Sequence, residues 1–135
     1  MTTTGSSAVL DASALLAWLR EEPGADGVDA ALDGAAMSAV NWSETWQKLE
    51  QNGIDAARAL RQVRALGVVV ESFSAEDAAT AAGLWPAGRA AGLSLGDRAC
   101  LALAIRLGVP AITADAAWSR VQADLHPTVV IRLVR

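Results

Sequence analysis

The chain of 135 residues has one cysteine, one histidine, one phenylalanine and no tyrosine. A lone cysteine, Cys100, has no partner for an internal disulfide, and with one histidine there is no Cys/His set from which to build a zinc site. Cys100 stands in the apolar run Ala99-Cys100-Leu101-Ala102-Leu103-Ala104-Ile105, so it is expected to pack as a small apolar side chain in a reducing cytosol. Long apolar runs are missing too: none approaches the roughly 20 residues that span a bilayer. Met1-Thr2-Thr3-Thr4-Gly5-Ser6-Ser7 lacks the basic start and apolar stretch of a signal peptide. The expectation is a cytoplasmic protein without a membrane partner, residues 1–7 forming a flexible tail.

Positive charge is scarce. Eleven basic residues stand against 15 acidic ones, for a net charge of −4, which excludes nucleic-acid binding through a broad cationic surface alone. All the basic residues but Lys48 are arginine, the better side chain for bidentate phosphate contacts. No phosphate-binding glycine loop or Ser/His/Asp order is present.

What the chain does have is a composition 53% hydrophobic and 19% charged, suited to one domain with one sizeable core. Short β-like runs alternate with helical patterns. Ala8-Val9-Leu10 leads into a helix over Ala12 to Leu19; Ala25 to Leu32 is a second helix and Ala36-Met37-Ser38 a second strand. Helices are predicted from Val40 to Gln51 and from Ile54 to Leu66, then the strand Val68-Val69-Val70. An alanine-rich helix from Ala75 to Ala91 should be kinked by Pro86, and Ser94 to Leu107 reads as a buried helix stopped by Gly108 and Pro110. The strands Ala111-Ile112-Thr113 and Thr128 to Val134 complete a pattern that favours βαβ crossovers and a mostly parallel sheet covered on both faces.

Four acidic residues carry the candidate chemistry. Asp11 and Asp115 each follow a strand, at the edge where open α/β sheets place ligands, and Ser13 could orient Asp11; helix capping is the competing reading for both. Asp97 closes Ser94-Leu95-Gly96-Asp97, which has the form of a capping box, as does Ser74-Ala75-Glu76-Asp77. Glu44 lies inside a helix, beyond any capping position, with Asn41 one turn earlier on the same face; its competing reading is a solvated surface carboxylate.

In order and spacing, Val9-Leu10-Asp11-Ala12-Ser13, Asn41-Trp42-Ser43-Glu44, Leu93-Ser94-Leu95-Gly96-Asp97-Arg98 and Thr113-Ala114-Asp115-Ala116-Ala117-Trp118 resemble PIN-domain toxins of the VapC type. The resemblance implies a three-layer α/β/α sandwich with a central mostly parallel sheet, and an endoribonuclease dependent on Mg²⁺ or Mn²⁺. It also implies a cognate antitoxin partner and a homodimer. Carried over, Asp11, Glu44, Asp97 and Asp115 become the metal-binding catalytic carboxylates, with Ser13 and Asn41 in supporting roles. Some relatives have a further acidic residue just after the last aspartate; here Ala116, Ala117, Trp118 and Ser119 follow, so a second metal position lacks that ligand. Two functions of other kinds share the same residues: an interaction module whose carboxylates only cap helices, and a metal-dependent phosphatase or DNA nuclease. Trp18, Trp42 and Trp46 could line an antitoxin groove or pack inside, and Arg58, Arg61 and Arg64 form a basic face on one helix.

Overall fold

Five short strands form one parallel sheet in a computed structural model that describes residues 5–135. Of the expected tail, residues 1–4 lie outside the described residues, while the Ser7 amide already donates to the Gly34 carbonyl at 3.3 Å. In chain order the elements are β1 (Val9–Leu10), α1 (Ala12–Leu19), α2 (Ala25–Ala31), β2 (Ala36–Ser38), α3 (Ala39–Gln51), α4 (Ala56–Ala65), β3 (Val69–Glu71), α5 (Ala75–Gly83), α6 (Trp85–Gly88), α7 (Leu95–Leu107), β4 (Ala111–Thr113) and β5 (Ile131–Leu133). Two 3₁₀ stretches, Arg89–Ala91 and Ala116–Asp124, complete the set.

Strand residues alternate between two cores because successive side chains leave opposite faces of a sheet. Leu10, Met37 and Ile112 pack with Leu15, Leu49, Leu60 and Val63 from the helices preceding β3. Val9, Ala36 and Ala111 face the other way, onto Cys100, Leu101, Leu103, Trp118 and Leu125. The result is the expected α/β/α sandwich, with β1, β2 and β4 buried on both sides. Cys100 is buried and free, packed as anticipated.

Three segments differ from expectation. The predicted helix over residues 75–91 divides into α5, α6 and a 3₁₀ turn, since Pro86 lacks an amide proton and fits only in the first turn of a new helix. Only Ile131–Leu133 of the strand predicted at Thr128 to Val134 pairs, because its neighbour β4 is itself three residues long. Ala116–Asp124, for which no element is predicted, winds as a 3₁₀ helix that buries Trp118 and Val121.

The strand order is β3-β2-β1-β4-β5. The chain leaves β1 toward β2 and β3, then returns through α5–α7 to β4 on the other flank of β1. Connections from β1 and β4 thus diverge, opening a crevice at the carboxyl ends of these two strands, where such sheets bind ligands.

Candidate active site

Asp11 is the first residue beyond β1 and the N-cap of α1; its Oδ1 accepts the Ala14 amide at 2.8 Å. The capping reading therefore holds, but capping does not account for the rest of its surroundings. Asp11 is 3% exposed. The Thr113 hydroxyl, at the end of β4, donates to Oδ2 at 2.6 Å, and the Ser13 hydroxyl reaches both carboxylate oxygens at 2.8 and 2.9 Å. Ser13 in turn accepts the Ala114 amide at 3.0 Å, so adjacent strand ends are tied together through this carboxylate. Burial pushes its pKa from 3.8 up to about 6 against the lowering effect of the Thr113, Ala14 and Ser13 hydrogen bonds, and nearby Asp97 pushes it further. A carboxylate taken from water without a cation is destabilised in this way.

A second side of the crevice is built by α3 and α7. Asn41, buried on α3, donates through Nδ2 to Glu44 Oε1 and to the Gly96 carbonyl, both at 2.9 Å. Those bonds use both amide protons and fix the orientation of the amide, leaving Asn41 Oδ1 buried without a partner. The Glu44 carboxylate lies so close to Gly96 that a Cβ there would overlap it. Glycine in the first turn of α7 is thus the condition for Glu44 to stand over that turn. Gly96 carries a signal in the sequence, a poor helix former inside a capping box; Thr113, the other positioning residue that sequence reasoning misses, reads only as the last residue of a strand.

Asp97 completes a true capping box: its Oδ2 accepts the Ser94 amide at 2.9 Å and its own amide donates to Ser94 Oγ at 3.1 Å. It also faces the other acids. Burial raises its pKa, the Ser94 hydrogen bonds lower it, Asp115 raises it and Arg98 lowers it. Asp115 is exposed, capping the 3₁₀ stretch by accepting the Ala117 amide at 2.9 Å. Beneath the crevice, burial drives the Cys100 thiol pKa well up, and Asp11, Asp97 and Glu44 all add to that rise. Asp11, Asp97 and Glu44 thus all act on the Cys100 thiol, and Asp115 acts on Asp97.

The donor set is all oxygen, which suits hard divalent cations. Asp97, Glu44 and Asp115 each keep one carboxylate oxygen without a hydrogen-bond partner among the described residues. No three acids already stand together at ligand distances among the described residues. Asp11 is fixed by its hydrogen bonds, whereas Glu44 and Asp97 are half-buried and Asp115 is exposed.

A family model described as PIN domain matches residues 8–124. No curated protein matches the sequence. Among solved structures, a toxin–antitoxin complex from Klebsiella pneumoniae aligns with a TM-score of 0.69 at 19% identity, over 92% of this chain and 97% of that one. The DNA-bound VapBC of Salmonella typhimurium gives 0.69 at 13% identity, over 96% and 99% of the two chains. VapC20 of Mycobacterium tuberculosis, a toxin that cleaves the sarcin-ricin loop, gives 0.68 at 24% identity, over 84% and 93%. Identities this low speak for the fold alone.

Proposed function

The chain belongs to the PIN domain family, and on that premise we propose that it is the ribonuclease toxin of a type II toxin–antitoxin pair. The observation that carries this reading is the buried Asp11 carboxylate, held by Thr113 across the ends of β1 and β4, with Glu44 tied through Asn41 to the first turn of α7, the turn that carries Asp97. Solved relatives in toxin–antitoxin complexes support an antitoxin partner, and the cleavage named for VapC20 supports RNA as substrate. A homodimer working in the cytoplasm completes the proposal.

Asp11, Asp97 and Asp115 would hold Mg²⁺ or Mn²⁺, with Glu44 as a further ligand or as the base. When bound, the ion supplies positive charge for the scissile phosphate and lowers the pKa of water. Ser13 and Thr113 hold the Asp11 carboxylate in one orientation. Asn41 does the same for Glu44, which takes a proton from the attacking water. Water oxygen bonds to phosphorus as the P–O3′ bond breaks, and the departing 3′-oxygen takes a proton from solvent, leaving a 5′-phosphate and a 3′-hydroxyl.

The test is cleavage of RNA by antitoxin-free protein with Mg²⁺ or Mn²⁺. Activity should vanish in chelator and in Asp11→Asn and Asp97→Asn variants; equal rates in any of these would refute the proposal. Single-stranded DNA and a phosphomonoester, offered in parallel, separate the nuclease and phosphatase readings that share the site. An interaction module has no need of a buried carboxylate beside other acids, and the raised Asp11 pKa argues against it.

A further inference from the structure

A cavity of about 610 Å³ opens beside the carboxylates, with Ser13 and Asp115 on one side and Arg20, Lys48 and Arg135 in the rest of its wall. The three cations come from distant parts of the chain. Arg20 is the C-cap of α1, Lys48 lies in the last turn of α3, and Arg135 follows β5. Arg135 is delivered there by its neighbour: the Val134 amide donates to the Thr113 carbonyl at 3.0 Å, and Gly24, at φ 99°, lets the backbone of α2 close against the Val134 carbonyl. The residue whose hydroxyl binds Asp11 thus also anchors the segment that presents Arg135.

The charges are unspent. Ion pairs among the described residues involve only Arg106, so none of the three cations is neutralised by a salt bridge, and all three are exposed. In the same wall the only side-chain carboxylates are those of Glu22 and Asp115. For a chain of net charge −4, a cavity with three unpaired cations next to a row of acids is a local reversal of sign. Cations placed so are suited to an anion that also reaches the acids, and a polyanion with successive phosphates meets both requirements.

We infer that this cavity holds the sugar–phosphate backbone of single-stranded RNA next to the scissile bond, with Arg20, Lys48 and Arg135 each contacting a phosphate. The inference rests on the nuclease reading for which bond is cut, and adds where the strand lies. Phosphate contacts position a strand without reading its sequence, so these residues set affinity and register.

The experiment compares wild type with an Arg20→Gln, Lys48→Gln, Arg135→Gln triple variant and the three single variants. Binding of a fluorescent single-stranded oligoribonucleotide is measured by anisotropy in chelator, and cleavage with Mn²⁺ is followed on that oligonucleotide and on bis(p-nitrophenyl) phosphate. In the triple variant, Kd and KM for the oligonucleotide should rise on the order of tenfold, and the log–log salt dependence of binding should flatten by about 2, or about 0.7 for each phosphate no longer neutralised. Rates on the small diester and kcat should hold, as should the melting temperature, since the three side chains are exposed. RNA binding that depends on the three cations without any cleavage would uphold the inference and sink the nuclease reading. Cleavage with unchanged KM and salt slope would sink the inference alone, and wild type that neither binds nor cleaves would sink both. Poly-glutamate bound more tightly than RNA, and released in the triple variant, would overturn the inference in favour of an acidic protein segment.

Discussion

At Asp11 one side chain serves two purposes that pull in opposite directions. Its Oδ1 caps α1, which stabilises the fold, while its burial beside Asp97 disfavours the charge that a cation site requires. In metal-free protein the carboxyl pKa of about 6 lies above the unfolded value of 3.8. The folded state therefore binds the proton more tightly, so stability is gained as pH falls through 6 toward 4 and is lost as pH rises through that window. A shift of this size corresponds to about 3 kcal/mol. Asparagine caps a helix as well as aspartate does and carries no charge. Asp11→Asn should thus abolish RNA cleavage while making the metal-free protein more stable at pH 8 by up to that amount, with little difference at pH 4. Urea denaturation in chelator at the two pH values checks this; parallel stabilities for variant and wild type would exclude a charge penalty at Asp11. Asp11 itself was visible in the sequence as a carboxylate after a strand. Thr113, which shares its proton, was not, because a β-branched residue in a strand gives no sign of a partner 102 positions away.

Helix starts show how one motif can have different uses. Ser74 and Asp77 of α5 form the same reciprocal capping box as Ser94 and Asp97 of α7. Asp77, however, is buried against Arg106, whose Nε lies 3.0 Å from Oδ1, and its pKa is lowered: the Arg106 and Ser74 hydrogen bonds outweigh burial. Asp97 is pushed the other way by burial and by Asp115. Ser74→Ala and Ser94→Ala should each cost about 1 kcal/mol in thermal denaturation, but only Ser94→Ala should slow RNA cleavage. Asp77→Ala should cost about 2 kcal/mol, less than a fully buried pair because Arg106 is partly solvated, and should leave the rate unchanged. Spacing alone cannot separate the two boxes; the difference lies in what packs opposite, on α7 for one and at the crevice for the other. Gly96 makes a sharper case. Helix propensity predicts that Gly96→Ala stabilises by up to about 1 kcal/mol, yet the new methyl would displace the Glu44 carboxylate. The expected outcome is near-wild-type melting with RNA cleavage reduced on the order of a hundredfold, the lower end of what a positioned acid–base group contributes; full activity would remove Glu44 from the mechanism. Elements with strong periodicity or punctuation, such as α7 between Ser94 and Gly108, were readable in advance. The 3₁₀ stretch after Asp115 was not, having no helical period of its own and being held by the burial of Trp118 and Val121.

Across the whole molecule, the candidate site exists only because the sheet reverses its order at β1. Alternating strands and helices implied parallel pairing, but not that β4 would return to the far flank of β1, since crossover handedness constrains each connection and leaves the side open. That choice is made by packing: α7, apolar on most faces, fills the space under Val9, Ala36 and Ala111 and carries Asp97 to Asp11. Acids at positions 11, 44, 97 and 115 are therefore brought to one crevice only by folding, and a cation that binds them binds the native state alone. Stability should then rise with Mg²⁺ as RT ln(1 + [Mg²⁺]/Kd), about 2.7 kcal/mol at a hundredfold excess over Kd. The gain should appear as a higher urea midpoint with unchanged slope, because the surface exposed on unfolding is the same. It should also grow between pH 5 and pH 7 as Asp11 loses its proton. Non-specific screening of the net charge of −4 would act equally on Asp11→Asn and would be reproduced by monovalent salt at matched ionic strength. A midpoint shift present in wild type, absent in Asp11→Asn and absent with NaCl would assign the effect to the four acids; equal shifts in all three would mean that they hold no cation.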